Sequence, residues 1–365
     1  MSSSRPDSGL VIGAGTETPA PQDRTRTRST PSRGMLFLGI VGAVAVGLLV
    51  AGQSKVNSRL AASLGGGFEA GVEAALISFG VGLVLLCLLV APVPAWRAGT
   101  ARTIAAWRGS RPGLTRWQVL GGLGGAFFVA SQGLAVATIG VALFVVGIVA
   151  GQATSALVVD HIGIGPAGRR EATPQRIVGA GLAVVAVVLG VVAKLQGTSA
   201  LHGPGILLLA LPLLAGAGAS WQQAVNGRVA HVGGPMPATW VNFVVGTSAL
   251  AVVLLAATLL GGSPAAPPSP ANGNLWLYLG GPIGIAFICL SAWLVRELGV
   301  LLLGLASVVG QVLGALILDA RDGVHLGPLT FVGAALTLVG VGLAALARNP
   351  LSGNRTVPRS ADPHG

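Results

Sequence analysis

Residues 117–160, WQVLGGLGGAFFVASQGLAVATIGVALFVVGIVAGQATSALVVD, recur without insertion or deletion as residues 276–319, WLYLGGPIGIAFICLSAWLVRELGVLLLGLASVVGQVLGALILD. At a constant offset of 159 the two stretches are identical at 16 positions. These include Trp117/Trp276, Gly121-Gly122/Gly280-Gly281, Gly125/Gly284, Gly140-Val141/Gly299-Val300, Gly151-Gln152/Gly310-Gln311 and Asp160/Asp319. Conserved spacing over such a length marks an internal duplication. Each copy is long enough for two membrane helices, because about 20 apolar residues cross a hydrocarbon core of roughly 30 Å. No charged residue lies between Arg116 and Asp160, so the first pair of helices is expected to break at Thr138-Ile139-Gly140 and the second at Arg296-Glu297-Leu298-Gly299.

Composition points the same way. Charged residues are 9% of the 365 and hydrophobic residues 52%, against roughly 25% charged in soluble domains. A chain with so few charges belongs in lipid, where helices satisfy their own backbone. The net charge of +11 does not indicate nucleic acid: the arginines sit in short connections between apolar spans and are not interleaved with stacking aromatics, so they read as topology signals. Cys87 and Cys289 each fall inside an apolar span and read as packing residues, with neither a disulfide framework nor a metal cluster.

Residues 1–34, rich in Ser, Thr, Pro and Arg, read as a disordered cytoplasmic tail, and the polar residues 348–365 as a second one. Ten apolar spans follow the first tail, at about 35–52, 74–93, 117–138, 141–159, 177–193, 205–225, 238–260, 275–295, 299–318 and 328–347. Counting alternately from a cytoplasmic N-terminus puts 18 Lys or Arg inside and 4 outside, the densest block being Arg97, Arg102, Arg108, Arg111 and Arg116. The expectation is a multi-pass protein of the inner (plasma) membrane with both termini cytoplasmic.

Five spans per half is an odd number, so residues 35–195 and 205–347 enter the membrane in opposite senses, the inverted-repeat plan of many secondary transporters. Further matches extend the duplication: Gln53, Asn57 and Arg59 align with Gln222, Asn226 and Arg228, Phe79 and Gly82 with Phe243 and Gly246, and Gly179 with Gly333. The expected fold is therefore an all-α integral membrane protein of ten transmembrane helices in two inverted five-helix repeats.

On Gln53-x-x-x-Asn57 and the Gly-Gln run Gly151–Gly163, the chain resembles the bacterial drug/metabolite transporter superfamily, in particular its YdcZ-like branch of five-helix domains, here as a fused pair. The resemblance spans roughly residues 35–347. It implies ten helices and a substrate cavity between the halves, and it implies no particular substrate. Ala320 and Asp322 stand where His161 and Gly163 stand in the first half, so the repeat assigns no shared role to a histidine there.

Several polar residues in the spans need partners. Gln152 and Gln311 lie near the middle of theirs, where an unsatisfied amide costs on the order of 2–7 kcal/mol. They either line a cavity for a polar solute or join helices by hydrogen bonds. Gln53 with Asn57, and Gln222 with Asn226, have i, i+4 spacing and share a helix face; they read as the two mouths of a pathway or as helix-end caps. Trp221 reads as a pathway aromatic or an interface anchor. Glu73, at the start of its span, is the candidate for proton coupling or an interfacial helix start, and its counterpart is Pro237. Asp160 and Asp319 at helix C-termini call for a cationic partner such as Arg169 or Arg321. The repeated Gly121-x-x-x-Gly125 and Gly280-x-x-x-Gly284 spacing reads as close helix packing.

No nucleophile–base pair, metal-ligand spacing or phosphate loop is present, so neither enzyme, cofactor nor metal is expected. The sequence implies a secondary transporter of a small polar or amphipathic metabolite or drug working by alternating access. A non-transporting scaffold or sensor that keeps the fold is the alternative. Its partners would be the solute and the lipid bilayer, not nucleic acid, with a homodimer left open.

Overall fold

A computed structural model describes residues 33–109, 113–166, 168–169, 171–197, 208–324 and 326–346, and every regular element among them is helical. Both expected tails lie almost wholly outside the described residues. The main helices are α1 (Arg33–Ser63), α2 (Gly67–Val90), α3 (Pro94–Trp107), α4 (Gly122–Ile139), α5 (Val141–Ile162), α6 (Pro174–Gly197), α7 (Leu211–Gly233), α8 (Pro235–Leu259), α9 (Gly280–Arg321) and α10 (Pro328–Leu346). Short 3-10 turns at Arg116–Gly121 and Leu275–Leu279 lead into α4 and α9. Helices stop where glycine can take a positive φ, as at Gly140 (86°), Gly163 (78°) and Gly234 (100°). They restart where proline fits the first turn, as in α3 and α8.

Eight helical stretches are long and apolar enough to cross a membrane, and Leu275–Ser291 is a shorter apolar helix. α7 is not among the eight, because Gln222, Gln223, Asn226, Arg228 and His231 dilute its apolar character. Three boundaries differ from expectation. α1 continues through Ser63, so Gln53, Asn57 and Arg59 sit inside a helix instead of at its end. α2 begins at Gly67, which puts Glu73 in its second turn. The arginine-rich connection, read as a loop, forms α3, with Gly99, Thr103 and Ala106 on its buried face. There Gly99 lies directly on the Gly233 carbonyl, at a distance that only a residue without Cβ permits.

The larger difference is α9. Helical assignment runs unbroken for 42 residues, through the point where a break at 296–299 was expected. A straight rod of that length would extend about 63 Å at 1.5 Å per residue. Its contacts exclude a straight rod. Gly284 faces Gln53 of α1, Leu294 faces Gly42 and Leu298 faces Gly39; then Gly310 faces Val44 and Gly314 faces Leu48 and Ala51. The run descends α1, reverses just past Leu298, and returns along the same helix.

α4 and α5 do the same along α7. Gly121 meets Asn226 and Gly124 meets Gly218 on the antiparallel arm, while Gly151 meets Leu213 and Gly147 meets Pro212 on the parallel one. The first helix of each sequence half therefore packs into the opposite half. Elsewhere α6 packs on α10 through Gly179 and Gly340, and α2 on α8 through two phenylalanine–glycine contacts.

Candidate functional site

Phe79 of α2 and Phe243 of α8, both buried, meet where these two helices pack, ring centroids 4.8 Å apart and tilted by 33°. Each ring lies against a glycine of the facing helix, Phe79 on Gly246 and Phe243 on Gly82. Two polar clusters flank the pair.

The first is fully enclosed. Gln53 Nε2 donates to the carbonyl of Gly280 at 2.8 Å, Asn57 Nδ2 to Gln132 Oε1 at 2.6 Å, and Gln132 Nε2 to Ser54 Oγ at 2.9 Å. Ser54 in turn donates to the Val50 carbonyl. Gln132 and Asn57 have 0% exposure and Gln53 4%. Buried amides normally fill all their hydrogen-bonding capacity, yet Asn57 Oδ1 has no partner; it lies against the α-carbon of Gly280, with Ser78 alongside.

The second cluster occupies the repeat-related positions. Asn242 Oδ1 accepts from Gln222 Nε2 at 2.9 Å and from Asn226 Nδ2 at 3.0 Å. Asn242 is buried, whereas Gln222, Asn226 and Trp221 are half-buried and Gln223 is exposed. The glycines set the approach in both clusters. A Cβ at Gly284 would lie 2.7 Å from Gln53 Nε2, and one at Gly125 would lie 2.6 Å from Gln222 Nε2 and 3.2 Å from Phe79. None of the residues in either cluster carries a formal charge.

The i, i+4 amides thus join different helices and cap none. Gln132, Ser54 and Asn242 are the residues that sequence reading missed. Gln132 aligns with Ser291 and Asn242 with Ser78, so a search for amides repeated in both halves passes over them. A lone amide in an uncharged span was the available signal.

The Gly-Gln pairs lie elsewhere. Gly151 and Gly310 abut the Leu213 and Val44 carbonyls, and the backbone of Gln152 and Gln311 lies beside Gly216 and Gly47. Gln311 is buried, with Nε2 3.4 Å from Ser307 Oγ one turn back, while Gln152 is half-buried. Gln53 is six residues beyond Gly47 on α1, about 9 Å along the axis, so these glutamines are neighbours of the amide clusters and not members of them.

Charges gather at the two ends of the seam. At one end the Asp319 carboxylate accepts from the backbone N–H of Val141 at 2.8 Å and of Ala142 at 2.7 Å, and Lys55 and Arg59 pair with Asp322. At the other, Arg228 caps the C-terminus of α5 through the Gly163 carbonyl at 2.9 Å and the Ile164 carbonyl, and Asp160 pairs with Arg176 at 2.5 Å. Asp160 is bonded to Arg176 and not to Arg169, which meets His161 instead. Arg176, at the start of α6, is nearer to Asp160 in space, and Asp319 meets a helix N-terminus from across the seam. Glu73 is buried and accepts from the Ala265 N–H at 3.1 Å, one turn from Glu69, which accepts from Ser263 at 3.2 Å. Together they hold the Pro- and Gly-rich connection between α8 and α9. Among the described residues, no group of His, Cys, Asp and Glu could hold a metal ion.

No curated protein matches the chain closely enough to compare. A family model matches both halves, over residues 38–189 and 207–343. On that match and its apolar helices, this is a multi-pass inner membrane protein, and the chain belongs to the family described as "Putative inner membrane exporter, YdcZ", within the drug/metabolite transporters.

Proposed function

We propose that the chain is a secondary exporter that moves a small polar or amphipathic metabolite or drug by alternating access between two inverted five-helix repeats. Counting α9 as two arms and α7 as a span gives ten crossings, with α3 on the surface and both termini on the arginine-rich, cytoplasmic side. The matched contacts support inversion: Gly280 on Asn57 repeats Gly121 on Asn226, and Gly310 on Val44 repeats Gly151 on Leu213.

The observation that carries the reading is the pair of amide clusters, at repeat-related positions, flanking Phe79 and Phe243 in a seam built by helices of both halves. Amides and hydroxyls offer donors and acceptors but no counter-charge. A bare ion would be costly there, so the favoured solute is one without net charge that carries both hydrogen-bonding groups and an apolar face. In this orientation the enclosed cluster of Gln53, Asn57 and Gln132 is the outer one, and the half-open cluster of Gln222, Asn226 and Asn242, next to Trp221 in the chain, the inner one. That is the arrangement of a conformer sealed outside and accessible from the cytoplasm. Gln152 and Gln311 border the path further along α5 and α9, and Glu73 ties down the connection between α8 and α9 at the outer end.

The test is a transport screen in proteoliposomes comparing wild type with Asn242→Ala, Gln152→Ala and Gln311→Ala. Asn242→Ala removes the acceptor shared by two amides, and transport of a carried solute is expected to fall about tenfold or more, equivalent to about 1.4 kcal/mol, with thermal stability retained. Wild-type transport by all three variants would sink the amide-lined pathway. A sealed, correctly inserted preparation that neither binds nor moves any compound would favour a scaffold or sensor instead.

A further inference from the structure

We propose that Asp319 is the proton-binding group of this exporter and that its carboxylate latches the outer gate shut by holding the N-terminus of α5 from across the seam. The carboxylate is 3% exposed, and an acid buried within a membrane span is a functional candidate by default. Both oxygens are committed to the first N–H groups of α5, those of Val141 and Ala142. α5 has no capping side chain of its own. A residue 178 positions away supplies what a local Ser or Asp ordinarily would.

The fit depends on Gly140, whose φ is 86°, and where a Cβ would come within 2.9 Å of Asp319 Oδ2. The latch therefore joins the break between α4 and α5 to the returning arm of α9, and it ties elements of the two halves together at one end only. Asp160, the duplicated residue, does not repeat it. Asp160 pairs instead with Arg176, at the start of α6.

Charged side chains lie between the neighbourhood of this carboxylate and the surface. Lys55 lies within electrostatic reach of Asp319 and pairs with Asp322, whose side chain is 25% exposed, and Asp322 also meets Arg59, which is 53% exposed. Among the described residues, these charged groups lie near Asp319 on α1 and on its own helix, where Arg321 also stands. α5 presents backbone N–H groups, with its Asp160 and His161 at the far end. α10 contains no charged residue, and the acids of α2 are engaged with Ser263 and Ala265.

A proton arriving from outside adds to one carboxylate oxygen and removes the negative charge. The two charge-assisted bonds to α5, each roughly twice as strong as its neutral equivalent, are lost. The outer end is then free to part, and the proton leaves to the cytoplasm when the seam next opens inward. The direction of the proton rests on the alternating-access reading; the latch itself does not.

The test needs no solute. In full-length protein carrying Cys87→Ser and Cys289→Ser, a single Ala142→Cys reports the latch to a membrane-impermeant maleimide. Its labelling is normalised to that of a Ser63→Cys protein, whose site is exposed. Normalised labelling is expected to stay low near neutral pH and to rise as the pH falls through the ordinary carboxylate range, below about pH 5, by up to about tenfold per unit, the limit for one proton. Adding Asp319→Asn should leave labelling high and flat, and adding Glu73→Gln should change nothing. A flat profile in the parent, a pH response that survives Asp319→Asn, or one abolished by Glu73→Gln would each overturn the assignment. A latch that titrates in a protein that carries no solute would leave this inference standing and remove the exporter reading; transport with a flat profile would do the reverse.

Discussion

Gly310→Val is expected to abolish recovery of folded protein, and Gly151→Val to do the same. A Cβ at Gly310 would overlap the Val44 carbonyl oxygen and stand 2.8 Å from its carbon; one at Gly151 would overlap the Leu213 carbonyl, again 2.8 Å from the carbon. Both obstacles are backbone, which has no rotamer to yield, so the helices themselves must separate. Overpacking a core ordinarily costs about 1–3 kcal/mol. Here the loss is expected at or above the top of that range, because the returning arm of α9 meets α1 along much of its length, and membrane helices associate through such close contact without a hydrophobic drive of their own. Gly304→Ala is the control. Nothing lies within 4 Å of its Cβ position, and alanine is the better helix former by about 0.8–1.0 kcal/mol. Detergent-solubilised Gly304→Ala should elute as wild type with an unchanged or higher Tm. A monodisperse Gly310→Val with wild-type Tm would show that α1 and α9 are not packed as described.

Gln132→Leu is expected to produce the largest stability loss among the polar residues. The substitution removes both the acceptor of Asn57 Nδ2 and the donor to Ser54 Oγ. Asn57, whose Oδ1 already has no partner, is left buried with neither end of its amide satisfied. Leaving buried groups unpaired costs about 1–3 kcal/mol each, against about 0.6 kcal/mol for an average hydrogen bond between membrane helices. A loss of roughly 2–4 kcal/mol follows.

The double variant Asn57→Leu with Gln132→Leu replaces both partners by apolar groups and should regain part of that loss, a coupling that a double-mutant cycle measures directly. If the amides serve the solute, the double variant is folded but inactive. A folded and fully active double variant would assign the network to structure alone. Asn242→Leu should destabilise less, since the half-buried Gln222 and Asn226 that it deprives can turn to water.

The two amide clusters also illustrate what a duplicated sequence reveals and conceals. Gln53, Asn57, Gln222 and Asn226 are legible because they recur at fixed spacing, and their i, i+4 separation gives each pair a common face. The partners of those faces are not repeated residues: Gln132 answers Asn57, whereas Asn242 answers both Gln222 and Asn226. The glycines behaved differently. Gly121, Gly125, Gly280 and Gly284 recur because each admits an amide from the helix across the seam, so their spacing already pointed to close approach. α3 was hidden among arginines that carry topology but no apolar period strong enough to announce a helix.

From the sequence alone came the membrane class, the location of most of the apolar spans and the internal duplication, because lipid imposes a local rule: each span must be apolar and long enough by itself, whatever packs beside it. Only the tertiary structure decided that α1 lies along both arms of α9, that α7 lies along α4 and α5, and that Asp319 caps a helix beginning at Val141. Those pairings join residues that can be more than a hundred positions apart. They depend on which glycine faces let two backbones touch and which buried acceptor faces which donor, and no periodicity within a single helix carries that information.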